Sequence, residues 1–415
     1  MKIGAIIAEY NPFHNGHKYQ IEKFKKESGL DYVIVIMSGN FTQRGEPAWM
    51  PKHSRAKMAL LNGADLVIEL PLYYATGSAS VFAEGAIAHL NALGCVEELC
   101  FGCESGEGET DFFTRLDEVS DIILNEPERY KKILTEALKK GYPYPSAREQ
   151  ALEYYVPNAS AFFSPNNILA LEYMIALKKT GSHIKPVPIR RIGQGYHSLE
   201  SNDYFVSASA LRHKFTSVSD CQSAYGIPNT CLEIISQQFC KSMPIYMNDF
   251  SASFANSYLE HKEKLTEYID MNEDISNLIH KNFPNFTKID DLVAALKTKT
   301  YTYTRLSRCI LHLLTNQKKE DFQLFVQNGY AFYARILGFQ KDAAPLLNCI
   351  KHNASIPMLT KIRVYKEQLN SIGIRMFEQD LRAADLYRTM AQIKYDSHLK
   401  NEFTEQLVIL HGRNT

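Results

Sequence analysis

The chain opens on a short apolar run, Lys2-Ile-Gly-Ala-Ile-Ile-Ala8, which breaks at Glu9-Tyr-Asn-Pro-Phe13. From Lys18 the period changes: Ile21 and Phe24 fall on one face of an amphipathic helix. Tyr32-Val-Ile-Val-Ile-Met37 then returns as a second apolar run. Short runs that are apolar throughout and separated by helical spacing predict strands buried on both faces of a parallel sheet, so the opening unit reads as βαβ. Further runs at 66–70, 98–102 and 184–189 predict a third, fourth and fifth strand. Pro186 and Pro188 place the fifth near a sheet edge, since proline has no N–H to give to a ladder. A mostly helical insertion, from about 110 to 180, precedes it; Ser164 is positioned to cap one of its helices, with Pro165 at the first helical position.

Beyond Arg212 the strands nearly disappear. Helical spacing covers 232–238, 250–267, 273–280, 288–296, 304–314 and 343–352. Only 330–340 and the Ile372-Gly-Ile-Arg375 stretch leave room for short strands. The pattern predicts an α/β chain in two parts: a Rossmann-like parallel-sheet domain over 1–215 and a separate, mostly helical region over 216–415.

A length of 415 residues with 45% hydrophobic content supports a large core and about two or three domains. Lys plus Arg equals Asp plus Glu at 46 each, so global charge points to no partner. The distribution says more: 216–280 is acidic, and the basic excess gathers from Lys281 onward. The first apolar run is too short for a secretory leader, and no stretch reaches the roughly 18 apolar residues of a membrane span, so a cytoplasmic protein without membrane contact is expected. Eight cysteines in so long a chain fit a reducing compartment. Cys95, Cys100 and Cys103 lack a fourth ligand at finger spacing and read as buried thiols.

The candidate chemistry collects at strand ends. His14-Asn-Gly-His17 sits between the first strand and a helix start, where unpaired N–H groups and the helix dipole face an anion. Gly16 lets a phosphate approach the backbone, and two imidazoles add donors. The stretch is neither a P-loop nor a Gly-x-Gly-x-x-Gly turn. After the second strand, 38–47 is a polar loop whose fixed cation is Arg44, suited to a phosphate or carboxylate. Glu69 inside the third strand is expected in a salt bridge or in the site, because an unpaired buried carboxylate is costly. Gly102 ends the fourth strand where backbone can lie against a base or ribose. Arg190, Arg191, Gly193, Gly195, Tyr196 and His197 follow the fifth. Ser207, Ser209 and Arg212 open a helix as further phosphate donors. In the last third, Arg305 and Arg308 lie one turn apart at a helix start, and with Arg335, Lys351, Lys361, Arg363 and Lys366 they are the candidates for RNA phosphates.

The string Glu-Tyr-Asn-Pro-Phe-His-Asn-Gly-His17, followed by Ser-Gly-Asn-Phe-x-Gln-Arg-Gly-Glu-Pro-Ala48, resembles the bacterial tRNA(Met) cytidine acetate ligase family, within the His-x-Gly-His nucleotidyltransferase superfamily. Ser207-Ala-Ser209-Ala-Leu-Arg212 is similar to the Ser-Ser-Thr-x-x-Arg element of adenylyltransferases. The 191–198 loop matches the family pattern at Arg191 and His197, but Gln194 and Ser198 replace its alanine and aspartate. The resemblance implies that 1–215 is a nucleotidyltransferase-like, ATP-binding catalytic domain and that 216–415 binds tRNA. It implies nucleotide contacts along Ile7, Ala8, Glu9, Tyr10, Asn11, Pro12, Phe13, His14, Asn15, Gly16, His17, Lys18, Tyr19 and Gln20. Gly102, Asn167, Arg191, Ser207 and Ser209 complete that set. His14, His17, Arg44, Ser209 and Arg212 would be catalytic. The implied reaction activates acetate as acetyl-adenylate with ATP, its Mg2+ carried by the nucleotide, and then acetylates N4 of the wobble cytidine of elongator tRNA(Met); no DNA is involved.

Two other readings stay open on the residues alone. One is an adenylyltransferase acting on a small coenzyme precursor, against which the additional basic helical half weighs, since a small acceptor needs no such surface. The other is a nucleotide-dependent RNA-binding protein without turnover. The intact His14, Gly16, His17, Ser209 and Arg212 weigh against that one.

Overall fold

The computed structural model describes residues 1–104, 111–191, 205–215, 217, 220 and 225–412. The opening βαβ unit forms as expected from β1 (Ile3–Ala8), α1 (Asn15–Ser28) and β2 (Tyr32–Ser38). Gly29 ends α1 in the left-handed region at φ 61, behind Lys25 and Lys26, whose charges suit the helix C-terminus. The chain continues through α2 (Lys52–Leu61), β3 (Leu66–Leu70), the single turn α3 (Leu72–Ala75), α4 (Ala79–Leu93) and β4 (Glu98–Cys103). The expected helical insertion contains α5 (Phe112–Asn125), α6 (Glu128–Lys139), α7 (Tyr144–Glu153) and α8 (Pro165–Lys179), and it delivers β5 (Lys185–Arg190). Ser164 caps α8 by accepting the Asn167 N–H.

These five strands are parallel neighbours in the order β5-β4-β1-β2-β3, so β1 and its turn occupy the middle and β5 an edge. Alternation along each strand sorts the core into two layers. Ala5, Ile34, Ile36 and Ile68 face α4, α8 and the last long helix, whereas Ile6, Val33, Val35 and Val67 face α1 and α2.

The later half begins with α9 (Ala208–Lys214), α10 (Asn229–Gln238), α11 (Ser251–His261), α12 (Glu273–Asn282), α13 (Ile289–Leu296), α14 (Tyr303–Leu314) and α15 (Lys319–Gln327). Phe254, Ile275, Val293, Leu306 and Ile310 give this helical part its own core. The chain then returns to the sheet with β6 (Ala334–Gln340), α16 (Ala344–Asn353), β7 (Met358–Leu359), α17 (Tyr365–Gln368), α18 (Ser371–Tyr395) and β8 (Val408–Leu410). No helix among the described residues is long and apolar enough to cross a membrane.

The structure corrects two expectations here. The chain is not split at 215/216: β6 pairs antiparallel with β3, Leu66 opposite Phe339, so the later half extends the same sheet. Ile336, Met376 and Phe377 share a core layer with Ile68. Residues 372–375 lie inside α18, not in a strand, because Asn370 caps that helix by accepting the Gly373 N–H at 2.8 Å. The short strand expected within 330–340 is present as β6.

Glu69 takes the salt-bridge option. It lies at 2.8 Å from Lys52 and 3.1 Å from Arg335, while Glu402 joins the same two cations at 3.0 and 2.6 Å. All four side chains are withdrawn from solvent. Their mutual pairing joins α2 and β3 to β6 and to the loop beyond α18.

Candidate active site

The turn after β1 is built by its two histidines. His14 is the N-cap of α1, and its Nδ1 accepts the Gly16 N–H at 3.1 Å. His17 completes the box by accepting the His14 N–H on its own Nδ1 at 3.2 Å. In most capping boxes a hydroxyl and a carboxylate play these parts. The two rings stack at 3.7 Å between centroids, and Tyr10 and Phe13 pack against His17 at 4.7 and 5.4 Å. Since each Nδ1 accepts a backbone hydrogen, the neutral tautomer with Nε2–H fits both rings. Burial, with Arg191 adding to it, pushes the His14 imidazole down to about 3. Burial, His14 and Arg191 hold His17 well below its ordinary value too. Near neutral pH the pair therefore presents neutral N–H donors.

Gly16 is required by this packing, because a Cβ there would meet His14 Cε1 at 2.9 Å. Ile7 and Ala8 are half-buried where β1 runs out, and Lys18, Tyr19 and Gln20 carry the partly accessible surface onto α1. Gln20 turns aside to the Cys100 thiol at 3.5 Å.

Three other segments close on the turn. Arg212 of α9 donates to the Asn11 carbonyl at 2.7 Å, while the Asn11 side chain accepts the Trp49 N–H at 2.7 Å. Ser207 caps α9 by accepting the Ala210 N–H at 3.2 Å, which leaves Ser209 half-buried in its first turn. On the other side, Arg191 leaves β5 with its N–H on the Cys103 carbonyl at 2.9 Å. Its stem lies against Gly102, where a Cβ would stand 3.0 Å from Arg191 Cγ. The loop after β2 supplies the third wall: Gln43 gives its N–H to Glu9 at 2.7 Å, and Arg44 is exposed. Burial raises the Glu9 carboxyl pKa, against the pull of that N–H and of Arg55, Arg44 and Arg212.

Asn167 is buried against the chain that leaves β4. Its amide is spent on the Glu104 N–H at 2.8 Å, the Glu104 carbonyl at 2.7 Å and the Ala161 carbonyl at 2.6 Å, and the residue is 1% exposed. It fixes the chain leaving β4, with its amide hydrogens given to the Glu104 and Ala161 carbonyls. His197, Gly193, Gly195 and Tyr196 lie outside the described residues.

Sequence reasoning missed Arg55. It sits in α2, an Ala/Met/Leu-rich helix, and is fully buried. It donates to the Glu9 carbonyl at 2.6 Å, the Ser38 carbonyl at 3.1 Å, the Met50 carbonyl at 3.1 Å and the Gly39 carbonyl. One guanidinium thus ties the end of β1 to the end of β2. Burial lowers its pKa to about 10, which still leaves the group charged.

The RNA candidates divide. Arg335 is spent on Glu69 and Glu402, and Arg308 is buried with its Nε on Asp270 at 2.8 Å. Neither is available to a phosphate. Arg305 is half-buried, its guanidinium 5.1 Å above the Tyr301 ring. Lys361 and Arg363 are exposed beside β7.

A parallel sheet with a His-x-Gly-His turn capping the helix after its first strand defines a nucleotidyltransferase of this class, and the profile of the family described as HIGH Nucleotidyl Transferase matches residues 1–402. The chain is similar to the tRNA(Met) cytidine acetate ligase of Acetivibrio thermocellus, 37% identical over 99% of this chain and 100% of the relative. It is 40% identical to the tRNA(Met) cytidine acetate ligase of Thermoanaerobacter sp. strain X514 over 93% of this chain and 95% of that one. The crystal structure of Thermotoga maritima TmcAL bound with alpha-thio ATP superposes with a TM-score of 0.89 at 28% identity, covering 99% of this chain and all of the other. Its apo form gives a TM-score of 0.90. The chain belongs to the tRNA(Met) cytidine acetate ligase family.

Proposed function

We propose that this protein is an ATP-dependent tRNA cytidine acetate ligase acting in the cytoplasm. The observation that carries the reading is the stacked His14–His17 pair, capping α1 with neutral rings, with Arg212 anchored across the same turn. An oxygen of acetate attacks the α-phosphorus of ATP; the bond to the bridging oxygen breaks, and pyrophosphate leaves with its electrons. The two Nε2–H groups suit the charge that develops at that oxygen, as preorganised donors do. Ser209, Arg191 and Arg212 would hold the remaining phosphate oxygens, and Arg44 would take the carboxylate or a phosphate from the β2 side.

Among the described residues no group of three or more His, Cys, Asp or Glu side chains is placed to hold a metal. We assign Mg2+ to the phosphates of the nucleotide, where it would shield their charge. The acetyl-adenylate then acylates the weakly nucleophilic exocyclic amine of cytidine in elongator tRNA(Met), with the region after 216 carrying the tRNA. Arg305, Lys361 and Arg363 are its phosphate contacts in this reading.

The test pairs two measurements: pyrophosphate exchange into ATP with a panel of small acids, and transfer of labelled acetate to elongator tRNA(Met) with coenzyme A absent. Exchange with acetate alone and label at N4 of the wobble cytidine are expected. Exchange only with a mononucleotide or pantetheine-like acceptor would move the assignment to coenzyme-precursor adenylylation.

A further inference from the structure

Gly102 and Arg191 stand to one side of β1, at the ends of β4 and β5 in the order β5-β4-β1-β2-β3; to the other side, after β2, comes the loop that bears Arg44. There the 39–51 loop carries Arg44 and Glu46 and is packed directly on α14. Ser307 gives its hydroxyl to the Gly45 carbonyl at 2.8 Å. Gly45 has φ +78, and a Cβ on it would stand 2.4 Å from the Arg308 backbone nitrogen, so helix and loop meet with no space for a side chain.

Tyr303 lies one turn before Ser307 on the same helix face. The residue is 37% exposed and its hydroxyl donates to Asp290 at 3.3 Å. Asp290 is held in turn by the Asn248 amide at 2.7 Å. Tyr246, 43% exposed, is already used: the Lys394 ammonium covers its ring at 4.7 Å. Glu46 is drawn partly out of solvent on the same wall, and burial raises its carboxyl pKa against the pull of Arg212 and Arg44, with Asp290 raising and His213 lowering it further.

We infer that Tyr303 and Glu46 form the seat of the acceptor base: a nucleobase swung out of its stack lies on the Tyr303 ring and gives an N–H of its exocyclic amine to the Glu46 carboxylate. The inference rests on the ligase reading above. An aromatic face takes any base, and a carboxylate accepts from the cytosine amine. The same carboxylate faces a carbonyl oxygen in uracil, two acceptors with no hydrogen between them, so the seat also selects the base. In the transfer step the amine nitrogen bonds to the acetyl carbon and the bond from that carbon to the phosphate oxygen breaks. AMP leaves with that electron pair, and the amine proton passes to Glu46. A carboxylate with a raised pKa is the better proton acceptor for this task.

The test compares the parent protein with Tyr303→Ala, Tyr303→Phe and Glu46→Gln. Each is assayed for acetate-dependent pyrophosphate exchange and for single-turnover acetyl transfer to an elongator tRNA(Met) transcript. Tyr303→Ala is expected to lower the ratio of transfer to exchange on the order of 10-fold or more, as loss of a stacking platform does. Tyr303→Phe keeps the ring and should restore most of that ratio. Glu46→Gln is expected to lower it on the order of 10²-fold, the usual worth of a positioned proton acceptor. A parent that exchanges but transfers nothing to tRNA overturns the ligase reading and this seat with it. A parent that transfers, with variants at the parental ratio, overturns the seat alone.

Discussion

Arg212 donates to the carbonyl of Asn11, 2.7 Å away and 201 positions earlier in the chain. The bond anchors one guanidinium N–H on the backbone of the histidine turn and so sets where the remaining donors point. Arg212→Lys keeps the charge but loses the planar fork, so it is expected to lower acetate-dependent exchange nearly as far as Arg212→Ala, about 10²-fold. Recovery of parental exchange by lysine would reduce the role of Arg212 to net charge.

His17→Ala removes both a donor and one half of a helix cap. The cap is worth about 1 kcal/mol, so a small fall in melting temperature is expected. Exchange should drop on the order of 10²-fold or more, while ATP binding by calorimetry changes far less. Because both rings are held neutral, the exchange rate should show no histidine titration between pH 6 and 8. A rate that falls as pH rises through a pKa near 6.5 would mark the imidazolium as the active form and contradict neutral donors.

Glu402 gives a stability profile with a definite sign. Burial works to raise its carboxyl pKa, but Lys52, Arg335 and His53 outweigh it and hold the group at about 2. A carboxyl with a depressed folded-state pKa contributes stability above its unfolded value of about 4.3, and that contribution is lost as pH falls towards 2. Glu402→Gln leaves two buried cations with Glu69 alone, so a loss on the order of 3 kcal/mol at pH 7 is expected. Denaturant midpoints at pH 7 and pH 3 check it: the gap between parent and variant should narrow at the lower pH.

The tRNA surface is tested by separating exposed from buried arginines. Lys361→Ala with Arg363→Ala should weaken tRNA binding and flatten its dependence on salt, because fewer counterions are released. Arg308→Ala leaves Asp270 without its buried partner and should destabilise by about 3 kcal/mol or more. Anisotropy titrations at several salt concentrations, run beside melting curves, distinguish the two effects. An unchanged salt slope for the exposed pair would clear it of phosphate contact.

Arg55→Met is expected to strip the carbonyls of Glu9, Ser38, Met50 and Gly39 of a donor at once. Each orphaned buried acceptor costs about 1–3 kcal/mol, so a variant that folds should melt far below the parent. Melting close to the parental temperature would show that these carbonyls find other partners.

What was legible in the sequence follows from the range of the interactions involved. The first five strands, the helices between them and the histidine turn are local patterns: short runs apolar throughout, a period of 3.6 and a cap. Gly16 and Gly102 were readable because close approach demands glycine. The place of β6 was not, since its partner β3 lies more than 250 positions earlier and the pairing leaves no mark near 334–340. Charged side chains misled for a related reason. Arg308 and Arg335 look like Arg363 in sequence, and only Asp270, Glu69 and Glu402, each distant in the chain, make the first two structural. The bonds of Asn167 to Glu104 were not legible either, because an amide at a helix start looks the same whatever it faces.

The antiparallel pairing of β6 with β3 also orders events at the ribosome. Until residue 340 has emerged, the β3 segment Leu66–Leu70 must wait as an open sheet border, with Glu69 inside it and one of its two cations not yet made. A nascent chain in that condition offers an unpaired apolar strand to its neighbours on a polysome. Translation that stalls between 215 and 334 should therefore yield aggregates of a nearly complete nucleotide domain, and a chaperone that covers the β3 border would be expected to suppress them.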